Sequence, residues 1–212
     1  MKLNKVLALA LSGIMAVSML AGCSNNTNGG KDEQTPATGI VAAVNNGQTT
    51  NKNVKVTFAA DATLDSQLNK AIVAAGNDAD YNVVREALRK IITEDTEAVY
   101  NAATAKDALN PVTSGASGAV AEGEKNVAVA VYKVADNYTE TAALKDIASQ
   151  VDTLTSTLMK DTSKNVKVGQ KYVAYDYTGK VSMVEVENLD GTTNYYAAVV
   201  ITSNYTVKTV TV

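Results

Sequence analysis

The chain has 212 residues, with 19 Lys or Arg against 22 Asp or Glu, a formal charge of −3, no histidine and a single cysteine. Without histidine there is no Ser-His-Asp or Cys-His nucleophilic system and no histidine-ligated zinc site, and a lone cysteine has no disulfide partner within the chain. A weakly acidic total gives no sign of the basic patch or stripe that meets nucleic acid, so nucleic acid is not an expected partner.

At the N-terminus, Lys2 and Lys5 precede the apolar run VLALALSGIMAVSML and the small residues Ala21 and Gly22. This is the charged, apolar and small-residue order of a secretory signal. The run is shorter than the roughly 20 residues that a membrane-spanning helix needs. The site reads Leu20-Ala21-Gly22-Cys23, which resembles the lipobox of bacterial lipoproteins: a leucine, two small residues and a cysteine. The resemblance covers residues 1–23. It implies a diacylglycerol group on the Cys23 sulfur, cleavage between Gly22 and Cys23, and a lipid-anchored protein on the extracytoplasmic face of the cell membrane. A thiolate is the nucleophile that a thioether requires, and two acyl chains, at about 0.8 kcal/mol per buried methylene, hold far better than one. Removing residues 1–22, which carry two lysines and no acid, leaves 190 residues with 17 basic and 22 acidic groups, a formal charge of −5.

Beyond the anchor, SNNTNGGKDEQTPATG has almost nothing apolar to bury. Such composition predicts a flexible tether with an end-to-end distance of roughly 20 Å. IVAAV, residues 40–44, fits a short edge strand, though a pentad does not separate strand from helix; the polar NNGQTTNKN follows. The expected organisation is therefore a signal peptide over 1–22, a lipidated cysteine and tether over 23–53, and a single α+β domain over 54–212.

Within that domain, VKVTF at 54–58 is a β-branched run, and Leu64, Leu68, Ala71, Ile72 and Ala75 mark a helix over 63–75 closed by Gly76. Asp80 is placed to cap a longer helix with the stripe Val84, Leu88, Ile91, Ile92, Val99 and Ala102, running toward Pro111. Glu86 and Lys90 form an i,i+4 pair on its wet side. TSGASGAVAEGE reads as a loop and NVAVAVYKVA, residues 126–135, as a strand apolar on both faces. A third helix over 139–160 carries Leu144, Ile147, Ala148, Val151, Leu154 and Leu158. From Val166 the period is two, in GQKYVAYDY, KVSMVEVE, NYYAAVVIT and YTVKTVTV, with TG, LDGTT and SN as joints. The expected fold is α+β: about three helices, a mainly antiparallel sheet and a C-terminal β-meander.

KNVKVTF at 52–58 and KNVAVAVY at 125–132 each lead through a strand to Ala-Asp and then a helix, and a third KNVKV starts at Lys164. A duplication would pack two similar strand–helix units side by side, whereas chance recurrence in a chain rich in Ala, Val, Asn and Lys makes no such demand.

Chemistry is mostly excluded. No serine is followed by lysine in an S-x-x-K dyad. GAVAEGEKN at 118–126 departs from a phosphate-binding loop, with Glu124 where lysine belongs, no Ser or Thr after it and a strand following. DADYN at 78–82 begins like a calcium loop but offers Val83 and Arg89 where glycine and a carboxylate are needed, so Asp80 reads as a helix cap. Glu185, Glu187 and Asp190 are a solvated acidic group unless a cleft separates them. No catalytic residue, metal or cofactor is expected.

Six of the ten tyrosines follow residue 165, at 172, 175, 177, 195, 196 and 205. Tyr175 and Tyr177 share a strand face opposite Asp176, which makes them candidate contacts for a cell-wall glycan, a peptide or a host polymer, provided that this face is exposed rather than core. The function expected is a binding or structural module anchored to the membrane through lipid on Cys23. The alternatives are a carboxylate-dependent hydrolase of cell-wall or carbohydrate substrates and a substrate-binding component of an uptake system.

Overall fold

IVAAV is helical. In the computed structural model, which describes residues 39–95, 99–100, 109, 125–134, 138–188 and 191–211, Ile40–Gly47 forms helix α1 with Ile40, Ala42 and Val44 buried. Ile40 and Val44 are one turn apart and share a face. Near the end of α1, a Cβ on Gly47 would lie 2.9 Å from the Ala148 Cβ, so α1 meets the helix Glu140–Thr155 where it lacks a side chain. The expected edge strand is thus replaced by a helix, and the folded unit begins before residue 54. Residues 24–38, the rest of the expected tether, lie outside the described residues, as do 1–23.

The polar stretch after IVAAV belongs to the fold as well. The Asn45 side chain donates to Phe58 O and accepts from Phe58 N, both at 2.9 Å. Gln48 does the same one step along, donating to Val56 O at 2.8 Å and accepting from Val56 N at 2.9 Å. The Asn51 amide donates to Thr155 O and Leu158 O, tying the loop to the end of helix α4 (Glu140–Thr155).

Strand β1 (Thr57–Ala60) leads to helix α2 (Ala62–Ala75). Asp61 caps α2 by accepting from Leu64 N, and Gly76, at φ 103°, closes it by donating to Ile72 O. Asp80 accepts from Asn82 N at 2.8 Å at the start of α3 (Tyr81–Asp95), as a capping aspartate does. On α3, Glu86 pairs with Arg89 at 3.1 Å instead of the expected Lys90. The helix stops at Asp95, well short of Pro111, and Val99–Tyr100 is strand β2. Acids in the last turn oppose the helix dipole, and the β-branched and aromatic pair that follows adds to a sheet edge instead.

Strand β3 (Lys125–Val134), α4, and strands β4 (Lys171–Glu187) and β5 (Thr193–Thr209) complete a five-stranded sheet ordered β1-β4-β5-β3-β2. The chain is α+β. β5 is antiparallel to β3 and β4, whereas β1 joins β4 and β2 joins β3 in parallel. The C-terminal third is one hairpin of two 17-residue strands rather than a four-stranded meander. Two of the three expected joints sit inside it: Thr178 and Gly179 face Thr202 and Ile201, and Ser203 and Asn204 face Tyr177 and Asp176, whereas LDGTT falls at the turn between the strands, as expected. Gly179 is not a turn residue. It lies beside Phe58 of β1, whose ring would be 2.3 Å from an added Cβ.

Side-chain alternation divides the sheet into two cores. Residues such as Phe58, Val173, Tyr177, Val181, Val199 and Ile201 pack with α1 and α4, and Val127, Val131, Val184, Tyr196 and Ala198 pack with α2 and α3 on the other face. The connection from β1 to β2 runs over the second face, and that from β3 to β4 returns over the first. Opposite direction on opposite faces gives both crossovers the same hand. The two KNV units are not side by side, because β4 and β5 lie between β1 and β3 and helices α2 and α4 occupy opposite faces.

Candidate functional site

Tyr175 and Tyr177 are 8% and 7% exposed and belong to the core under α1 and α4. Their rings lie 6.2 Å apart in a stack, with Tyr205 edge-on to Tyr175 at 6.2 Å. The Tyr177 hydroxyl donates to Met159 O at 2.6 Å. This corrects the expected binding platform: the aromatic face is packing, and Asp176 takes the wet side. Among the other late tyrosines, Tyr195, Tyr196 and Tyr205 are buried too. Tyr196 donates to Ala79 O at 2.6 Å, fastening the α2–α3 turn to the sheet.

At the hairpin-turn end the charges are mainly acidic. Asp78 and Asp80 are near enough to act on Tyr196, Glu140 and Glu185 on Tyr195, and Glu187 pairs with Thr193 beside the turn, while Asp190 lies outside the described residues. Lys133 meets Asp78 at 2.7 Å and stands 5.5 Å from the Tyr196 ring centroid. Hydrogen bonds from Lys133 and Asn194 hold the Asp78 carboxyl below the usual carboxylate range. Glu185 and Glu187 share one face of one strand, which is not the opposed arrangement across a cleft that glycoside hydrolysis uses.

The opposite end is basic. The loop from Ser156 to Gln170 and the last turns of the hairpin bring together the exposed Lys160, Lys164, Lys167, Lys171 and Lys208. One acid stands among them. Asp161 accepts from Ser163 N and Oγ, and Lys160 and Lys208 are near enough to act on it; the Ser163 hydroxyl and then these charges lower its pKa, against some desolvation. The loop is held on both sides. Thr162 N donates to Val173 O at 2.8 Å and Tyr175 N to Lys160 O at 2.9 Å, which fixes 160–162 along β4. Gly169 N donates to Val210 O and Val210 N to Gln170 O, which fixes the far side. Between these ties Asn165 and Gly169 take positive φ, 69° and 83°, so the chain bends sharply twice.

That geometry gives KNVKV two structures. At 52–56 its valines, Val54 and Val56, are core residues. At 164–168 the same five letters bend at Asn165, and Val168 stands 61% exposed, more than any other large apolar side chain among the described residues. Whole-chain charge does not reveal this end, because the sum hides the segregation.

Cys23 lies outside the described residues. Fifteen residues separate it from Gly39, and in any conformation they span at most about 50 Å. No known family, curated protein or solved structure matches the chain.

Proposed function

We propose that the chain is a lipid-anchored extracytoplasmic protein whose folded domain is a binding or structural module rather than an enzyme. The observation that carries this reading is Leu20-Ala21-Gly22-Cys23 at the end of a charged-then-apolar leader, with the only thiol of the chain at the acceptor position. The fold is compatible with an anchor of that kind, since its first described helix starts at Ile40, beyond the cysteine and a polar spacer. Binding does not rest on Tyr175 and Tyr177, which are core residues.

Growth of the producing bacterium with an acyl-chain probe tests the reading. The wild-type protein takes up the label and shortens by the leader. Cys23→Ser takes up none and stays at precursor length, because the acylated cysteine is what the cleavage requires. Equal labelling of both proteins would overturn the anchor.

A further inference from the structure

We infer that the lysine-bearing end, with Val168 at its tip, docks on the anionic lipid surface of the membrane to which the chain is anchored. This rests on the lipid-anchor reading for the identity of the partner, and on the geometry of the 156–170 loop for the site. Five exposed lysines, Lys160, Lys164, Lys167, Lys171 and Lys208, surround one carboxylate, Asp161. They do so in a chain that is net acidic after processing, so the clustering runs against the overall charge. The complementary acids sit at the other end of the hairpin, which at roughly 3.3 Å per residue lies about 50 Å away. A charge separation of that length turns the lysine end toward a negative surface and the Glu185–Glu187 end away from it.

Two further features favour lipid over a soluble polyanion. A single exposed valine is ordinary in itself, but this one projects between Lys167 and Lys171 from a loop tied down on both sides, where an apolar tip flanked by ammonium groups matches the headgroup–acyl boundary. The anchor also limits the search. A spacer of at most about 50 Å keeps the domain beside the bilayer, which raises the effective concentration of a weak second contact.

The test uses the mature-length chain with Cys23→Ser, which carries no acyl group, and vesicles of phosphatidylcholine with or without phosphatidylglycerol. Each lysine near an anionic surface contributes roughly fivefold to partitioning. Sedimentation with phosphatidylglycerol vesicles should therefore exceed that with neutral vesicles at least about 50-fold at low salt, and the excess should vanish near 1 M salt, where the Debye length is about 3 Å. Replacing Lys164, Lys167, Lys171 and Lys208 by glutamine should remove more than about 50-fold of the partitioning with the melting temperature unchanged. Lys70→Gln with Lys90→Gln and Lys145→Gln, which removes exposed lysines from the helices, should leave it intact. Val168→Ser should weaken partitioning a few-fold and keep its salt dependence.

Equal partitioning to both vesicle types, full partitioning of the quadruple variant, or capture by soluble poly(glycerol phosphate) without vesicle binding would each overturn the proposal. Because the tested chain is unlipidated, these outcomes are independent of whether Cys23 is acylated.

Discussion

At the scale of single residues, side chains that look like loop chemistry serve as packing and edge chemistry. Gly179 resembles a turn in sequence, yet it makes room for the Phe58 ring across two paired strands. Gly179→Ala should cost about 1–3 kcal/mol in urea unfolding, as overpacking does, and a Phe58→Leu background should shrink that cost. Asp152 accepts from Thr50 N and its hydroxyl, and from Thr49 N and its hydroxyl, at 2.7 to 3.2 Å. The Thr50 N–H first, and then the other donors, hold its carboxyl below the ordinary value of 3.8, with desolvation opposing. A carboxyl depressed in the folded state adds stability above its unfolded pKa and loses it as pH falls through the folded one. Wild type should therefore melt higher than Asp152→Asn above about pH 5, and the gap should close as pH drops below about 4. A gap that is constant across this range would contradict the assignment.

At the scale of elements, the side-chain amides of Asn45 in α1 and of Gln48, which caps its end, do for β1 and the residue just before it what a neighbouring strand would do. Asn45 and Gln48 each give one donor and one acceptor to a single backbone residue, closing the outer edge at Phe58 and Val56. An open edge is a template for pairing with another chain. Asn45→Ala with Gln48→Ala leaves four backbone groups without these partners. It should lower stability by about 1–3 kcal/mol per truncation and produce concentration-dependent association in light scattering; a stable monomer would argue against edge closure.

The helices α2 and α4 and strand β3 were legible because their apolar periods are long and their caps, Asp61 and Gly76 among them, are conventional. IVAAV was not, since five apolar residues fit either period until α4 supplies a partner. Nor were the interior positions of TG and SN, because Gly179 and Ser203 owe their places to Phe58 and to Leu109, whose carbonyl accepts from Ser203 Oγ at 2.8 Å. Those partners are far away in sequence. Tyr175 and Tyr177 failed as contacts for the related reason that alternation assigns two faces without saying which one a helix will cover.

At the scale of the whole molecule, the domain starts earlier than composition suggests and its charge is polarised along its length. Ile40 and Val44 are buried, and the side chains of Gln48 and Asn51 bind β1 and the end of α4. A chain beginning at Val54 should therefore lose cooperative unfolding, or at least about 3 kcal/mol of stability, relative to one beginning at Gly39; equal denaturation midpoints would put the boundary back at 54. The polarity of charge is invisible to a sum, and the lysines became a site only when β4, β5 and the preceding loop were placed together. The function proposed for the chain turns on Cys23. The most direct measurement is the intact mass and N-terminal peptide of the protein extracted from bacterial membranes. A lipid-anchored chain should show Cys23 as the first residue, carrying a diacylglyceryl thioether; an unmodified Cys23, or a chain cleaved elsewhere than after Gly22, would rule the anchor out.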